Sequence, residues 1–190
     1  MNLNKIVLTL FLISSFLFST KAQAIVIELG LTYGFSKKSF NATNYYQSET
    51  KTASLSFYLF EKIALEFSYT DSFYENQEND ATSSRVIQQT SIITGADLIY
   101  IFTDQRSAFQ PYIKGGAAYI RKKAVIKYSN ADAFEIPTKD GLAPSYGIGL
   151  KYKITDRLSI RAGYDVWKTP LDDGTSTDDT AFKSGLTWYL

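Results

Sequence analysis

Six charged residues stand inside alternating apolar patterns: Glu28, Glu66, Asp97, Lys114, Lys151 and Arg161. Three are acidic and three basic, and each falls in a different candidate strand, on the face opposite the large apolar side chains. Such a set suits two kinds of chemistry. The charges can pair with one another and fill a narrow interior, or they can line a gated pore or form a catalytic carboxylate pair. A charge held away from water costs several kcal/mol unless it is paired. The interior of an eight-stranded barrel is about wide enough for side chains alone. Both points favour a salt-bridged plug that also fixes strand register.

Other chemistry has little to work with. The chain has no cysteine and no histidine, so it lacks disulfides, thiolate metal sites and the commonest general base and metal ligand. Asp71, Glu75, Glu78 and Asp80 lie in a polar stretch where charge is ordinarily solvated. Asp172, Asp173, Asp178 and Asp179 offer hard oxygen ligands, but their spacing matches no compact calcium loop. The expectation is therefore no catalysis, no cofactor and no metal. Arg121, Lys122, Lys123 and Lys127 cluster at the base of the longest polar stretch. They could pair with phosphates of lipopolysaccharide just above a membrane, or simply keep the segment soluble.

The elements that must carry these residues are strands. Residues 27–35, 53–59, 63–70, 86–100, 112–119, 146–153, 158–166 and 182–190 alternate between a large apolar face and a small polar one. Long polar stretches (36–51, 72–85, 121–144 and 168–179) alternate with short connections at 61–62, 103–108 and 155–157. Ten residues at about 3.3 Å, tilted by roughly 40°, rise about 25 Å, the height of an outer-membrane apolar band. Aromatics on the apolar face sort by height. Tyr33, Tyr69, Tyr119, Tyr146, Tyr164 and Phe182 come at the long-loop ends, and Tyr100, Tyr152 and Trp188 at the short-turn ends. Two aromatic girdles are what a bilayer selects, whereas a soluble barrel would turn its apolar face inward. The fold predicted is all-β, an eight-stranded antiparallel transmembrane barrel of outer-membrane type.

Residues 1–24 read as a secretory signal peptide: a cationic start at Lys5, an apolar run over 6–18, and Ala22-Gln23-Ala24 at the cleavage site. The apolar run falls short of the roughly 20 residues that a spanning helix needs. Lys5 and Lys21 leave with it, so the barrel domain, residues 25–190, carries 18 basic and 19 acidic residues out of the chain's 20 and 19. That balance gives no basic footprint for nucleic acid.

The pieces Pro111-Tyr112-Ile113-Lys114-Gly115-Gly116-Ala117-Ala118-Tyr119 and Tyr146-Gly147-Ile148-Gly149-Leu150, together with the last strand, resemble the small eight-stranded outer-membrane proteins of the OmpA/OmpX type. The resemblance covers the whole of residues 25–190. It implies that Lys183, Gly185, Trp188 and Leu190 form the terminal signal that delivers such chains to the barrel-assembly machinery, with Leu190 where phenylalanine is usual. It also implies a structural or surface-interaction role in envelope integrity, adhesion or resistance, with an extracellular ligand met through the long loops. Phe40, Tyr45, Tyr46, Phe73, Tyr74 and Phe134 are the candidate contacts there. Outer-membrane lipids and lipopolysaccharide are the other partners expected. A narrow OmpW-like channel for small or hydrophobic solutes is the alternative, and a lipid A-modifying enzyme a remoter one, since such enzymes of similar size use histidine.

Overall fold

The computed structural model of the protein describes residues 26–40, 44–79, 84–129, 131–138, 140–170 and 175–190. They form nine strands: β1 (Val26–Ser39), β2 (Tyr45–Phe60), β3 (Ile63–Asn79), β4 (Ser84–Ile101), β5 (Phe109–Tyr128), β6 (Ala131–Ile136), β7 (Gly141–Lys153), β8 (Leu158–Pro170) and β9 (Ser176–Tyr189). Eight of them close a ring of antiparallel pairs in the order β1, β2, β3, β4, β5, β7, β8, β9, and β9 returns to β1 through Glu28↔Tyr189 to Tyr33↔Ser184. The signal peptide expected over 1–24 lies outside the described residues, as do Asp80, Asp172 and Asp173.

Polarity is turned inside out relative to a soluble protein. Leu31, Ile148 and Phe182 are 69%, 61% and 67% exposed on the outer face, while Glu28 and Lys151 inside are 1% and 0% exposed. Both expected girdles stand on the exposed face. A ring sheet has no free edge, so every backbone group along the spanning section meets a partner without water. Small residues let the wall close. A Cβ on Gly185 would lie 2.0 Å from the Leu31 carbonyl oxygen across the β1–β9 seam, and one on Gly149 would lie 2.2 Å from Tyr112 Oη. Gly149 is thus the floor on which the Tyr112 ring lies.

The long polar stretches are not loops for most of their length. β1 to β5 run on beyond the outer aromatic girdle, so that 36–39, 45–51, 72–79, 84–85 and 121–128 are paired strand. β8 and β9 continue likewise to Pro170↔Ser176. A ninth strand, β6, pairs with the far end of β5 (Ala124↔Ile136 through Tyr128↔Ala131) and takes no part in the ring. Above a bilayer both faces of a sheet meet water, so the apolar–polar alternation that marks a strand is no longer demanded there. Thr90, Val125 and Ile126 still favour extended backbone.

Candidate functional site

The lumen is built in layers. At the short-turn end Tyr58, Ala64, Ile99, Ile101, Tyr112 and Tyr189 form one apolar cluster, and nearer the loop end Ile93, Ala118, Ile120, Ala143, Trp167 and Ala181 form another. Between and around them lie the charges. Lys151 Nζ donates to both oxygens of Glu28 at 2.7 and 2.8 Å and to Tyr58 Oη at 2.9 Å, while Tyr58 donates to Glu28 Oε2 at 2.5 Å. Arg161 clasps Glu66 with both terminal nitrogens and donates from Nε to Tyr112 Oη at 2.8 Å. Such a bidentate pair is the strongest geometry an ion pair can take.

Lys114 stands at the centre. Its Nζ is 3.0 Å from Asp165 Oδ2, 3.3 Å from Asp97 Oδ2 and 3.5 Å from Glu66 Oε1. Lys183 reaches Asp165 Oδ2 at 2.7 Å and Thr52 Oγ1 at 3.0 Å, and Ser145 donates to Asp97. These eight charged residues are all 7% exposed or less. With Thr52, Ser56 and Tyr58 from β2, the network draws on all eight staves of the ring. A cross-section tied to every stave fixes the register of each, because a one-residue slip would send an inward charge to the lipid face.

Above the second apolar layer the lumen opens into a blind vestibule of about 520 Å³. Tyr46, Tyr74, Gln89, Lys122, Trp167 and Asp179 are among its lining. Lys122 Nζ and Asp179 Oδ2 are 2.5 Å apart.

Comparison with known proteins places this architecture. The model of the OprF membrane domain matches residues 4–186. The chain belongs to the OprF membrane domain family. Among solved structures, the N-terminal barrel domain of Pseudomonas aeruginosa OprF is similar at 18% identity and a TM-score of 0.55, covering 87% of this chain and 97% of that one. Neisserial surface protein A is similar at 15% identity and a TM-score of 0.57, covering 89% and 99%. OprG of Pseudomonas aeruginosa is similar at 11% identity and 0.58, covering 87% and 95%. At these identities the structures speak for the fold. No curated protein sequence matches the chain. The chain is an outer-membrane β-barrel.

In this OprF-type barrel the six charges singled out from the sequence, Glu28, Glu66, Asp97, Lys114, Lys151 and Arg161, all point inward and all take part in the network. Two members were missed. Asp165 shares the inward parity of Arg161, and Lys183 that of Gly185, so the alternation rule already marked both. Lys183, which the resemblance assigns to the terminal signal, also places its side chain in the lumen. Gly185 lies at the seam, while Trp188 and Leu190 face outward, 46% and 69% exposed.

The cluster of four cations divides. Arg121, Lys123 and Lys127 are exposed, but Lys122 turns into the vestibule and its side chain is 7% exposed. Its position one residue out of phase with Arg121 and Lys123 is the cause. Lys122 is therefore withdrawn from the surface set. Among the described residues no group of three or more carboxylates is placed to hold a metal ion. Glu75 accepts from Tyr45 Oη at 2.5 Å and Gln88 Nε2 at 2.6 Å, and Glu78 is held by Arg85 and Asn76. Asp178 pairs with Lys168 at 3.0 Å, and Asp179 with Lys122.

Tyr46 and Tyr74, singled out as surface contacts, meet edge to face at 4.9 Å beside the vestibule. Tyr45 is engaged by Glu75, and Phe73 pairs across the ladder with Glu49 and Thr90. Phe40 and Phe134 are 65% and 50% exposed, and Phe134 stacks on Tyr128 at 5.9 Å.

Proposed function

We propose that this OprF-type barrel serves the outer membrane as a closed structural element that holds an ordered sheet outside the cell, and that it catalyses no reaction. The observation that supports this reading is the charge network: its carboxylates and cations are mutually engaged, and it ties together every stave at the level where a pore would have to pass. A narrow passage for small or hydrophobic solutes would require these pairs to part, each at a cost of several kcal/mol. Purified protein in planar bilayers should give no stable channel of porin size, and its expression should leave lipid A acyl chains unchanged. Steady conductance would establish the passage instead.

The outer surface contributes the partners. Arg121 and Lys123 project beyond the girdle at Tyr119 toward the height of lipopolysaccharide phosphates, which they can meet with charge-assisted hydrogen bonds, and Lys127 stands farther out, near the tip of β5. Replacing the three with Gln should weaken lipopolysaccharide association, while Lys122→Gln should leave it unchanged. Equal binding by all variants would reject the contact. Lys183, Gly185, Trp188 and Leu190 are taken to deliver the strand to the barrel-assembly machinery before the seam closes. Leu190→Phe should then assemble at least as well as the parent, measured by the heat-dependent gel shift of folded barrel; an assembly defect would discard the assignment. Residues 1–24 are taken as the export signal, and N-terminal sequencing of the membrane-inserted protein should begin at Ile25.

A further inference from the structure

The vestibule has no part in the structural reading above, yet it has the features of a binding site. Its volume of about 520 Å³ falls within the range of small-molecule pockets, roughly 300–1,000 Å³. It is blind: the layer of Ile93, Ala118, Ile120, Ala143, Trp167 and Ala181 closes it below, so it holds rather than conducts. β6 helps to shape it, because Ile136 and the two residues after it, Pro137 and Thr138, form part of the wall. Thr138 is held there by its hydroxyl, which donates to the Lys122 carbonyl at 2.7 Å.

The lining is specific in its chemistry. Ser48, Ser72, Ser91, Thr177 and Gln89 are among its lining, with Gln89 Nε2 donating to Ser91 Oγ at 3.3 Å. Each hydroxyl both donates and accepts, which is the complement of another hydroxyl. Tyr46 and Tyr74 meet edge to face, so flat apolar surface stands beside these groups, and Trp167 lines the floor. The charges are already neutralised: Lys122 by Asp179 at 2.5 Å, and Asp178 by Lys168 at 3.0 Å. An ionic ligand would have to break a pair to be recognised, whereas an uncharged one meets only dipoles and ring faces. We propose that the vestibule binds an uncharged, hydroxyl-rich ring compound, the chemistry of a neutral pyranose sugar, from the outside medium. Its hydroxyls would meet the Ser, Thr and Gln groups and its C–H faces the aromatic rings.

The chain carries two tryptophans, Trp188 on the lipid face and Trp167 in the vestibule floor. In a Trp188→Phe variant folded into phospholipid nanodiscs, Trp167 is the single tryptophan reporter. Titration with maltose and methyl glucoside should give a saturable change in its emission, with affinity in the millimolar range or tighter. Glucuronate and glucosamine, the acidic and basic analogues, should bind at least about tenfold more weakly. Gln89→Leu and, separately, Tyr46→Ala should each reduce the neutral-sugar response while keeping the heat-dependent gel shift; the titration of the Trp188→Phe parent decides the matter if either variant fails to fold. A flat response to every neutral sugar, or tighter binding of a charged analogue, overturns the proposal. Conductance is a separate readout, so loss of the closed-barrel reading and loss of this site are distinguishable.

Discussion

Between Ser91 and Ile101, β4 alternates strictly. Ile93, Gly95, Asp97, Ile99 and Ile101 are buried in the lumen, and Thr94, Ala96, Leu98 and Tyr100 are exposed on the outer face. Between Ser84 and Thr90 the same strand stays paired residue for residue with β3 and β5, yet Val86, Ile87, Gln88 and Gln89 are all half-buried. The ladder is continuous and the pattern is not. Alternation records that the two faces of a sheet see different solvents, and the backbone pairing itself carries no such signature. In the spanning section one face meets lipid and the other a packed polar lumen. In the extension neither face is so constrained, and what holds it is cross-strand pairing together with contacts such as Glu75 with Tyr45 and Gln88.

The two regions should therefore respond very differently to the loss of one carboxylate. Glu66→Ala leaves Arg161 and Lys114 buried without their shared acceptor, and breaking a buried pair from one side costs about 3–5 kcal/mol. Urea unfolding of barrel refolded into vesicles should show a loss of that size; a change under about 1 kcal/mol would mean that the lumen is far wetter than its packing indicates. Removing both partners of a pair sharpens the point. Glu28→Leu with Lys151→Met should be much less destabilising than either change alone, because no orphan charge remains, and additive losses would show that the pair is worth more than its desolvation.

The smallest effect belongs to the extension. The Tyr45 hydroxyl and the Gln88 amide donate to Glu75 and hold its carboxyl below the usual carboxylate range. A depressed folded-state value stabilises at pH above the unfolded-state value of about 4.3 and is lost as pH falls through the folded one. Protection factors of the amides around Tyr45 and Tyr74, taken relative to intrinsic exchange at each pH, should therefore fall below about pH 4, while the lumen-facing amides stay protected. Glu75→Gln should abolish that pH dependence at a cost under about 1 kcal/mol, since the group is only half-buried. Lumen amides that opened first on acidification would reverse the comparison.

The same contrast explains what could be read in advance. The ring of eight, its inside-out polarity, both girdles and six of the eight lumen charges follow from the period-two pattern. Asp165 shares the polar parity of Arg161 and was legible by the same rule. Lys122 sits in a run of three cations, Arg121 to Lys123, where charge looks uniform and only phase separates inward from outward. β6 and the strand extensions had no pattern to show, for the reason that β4 makes plain. The vestibule was invisible because it is assembled from residues such as Ser48, Gln89 and Thr177, ordinary in any polar segment and brought together only by closure of the ring.

The lumen network has a further consequence in its arithmetic of sign. Glu28, Glu66, Asp97 and Asp165 face Lys114, Lys151, Arg161 and Lys183, four against four, so the packed section carries no net charge. A potential across a membrane acts on a displaced elementary charge with about 2.3 kcal/mol per 100 mV. A neutral block offers it no monopole to pull, only opposed forces on partners a few ångströms apart. On the closed-barrel reading proposed above, voltage alone would therefore have no handle by which to open the lumen.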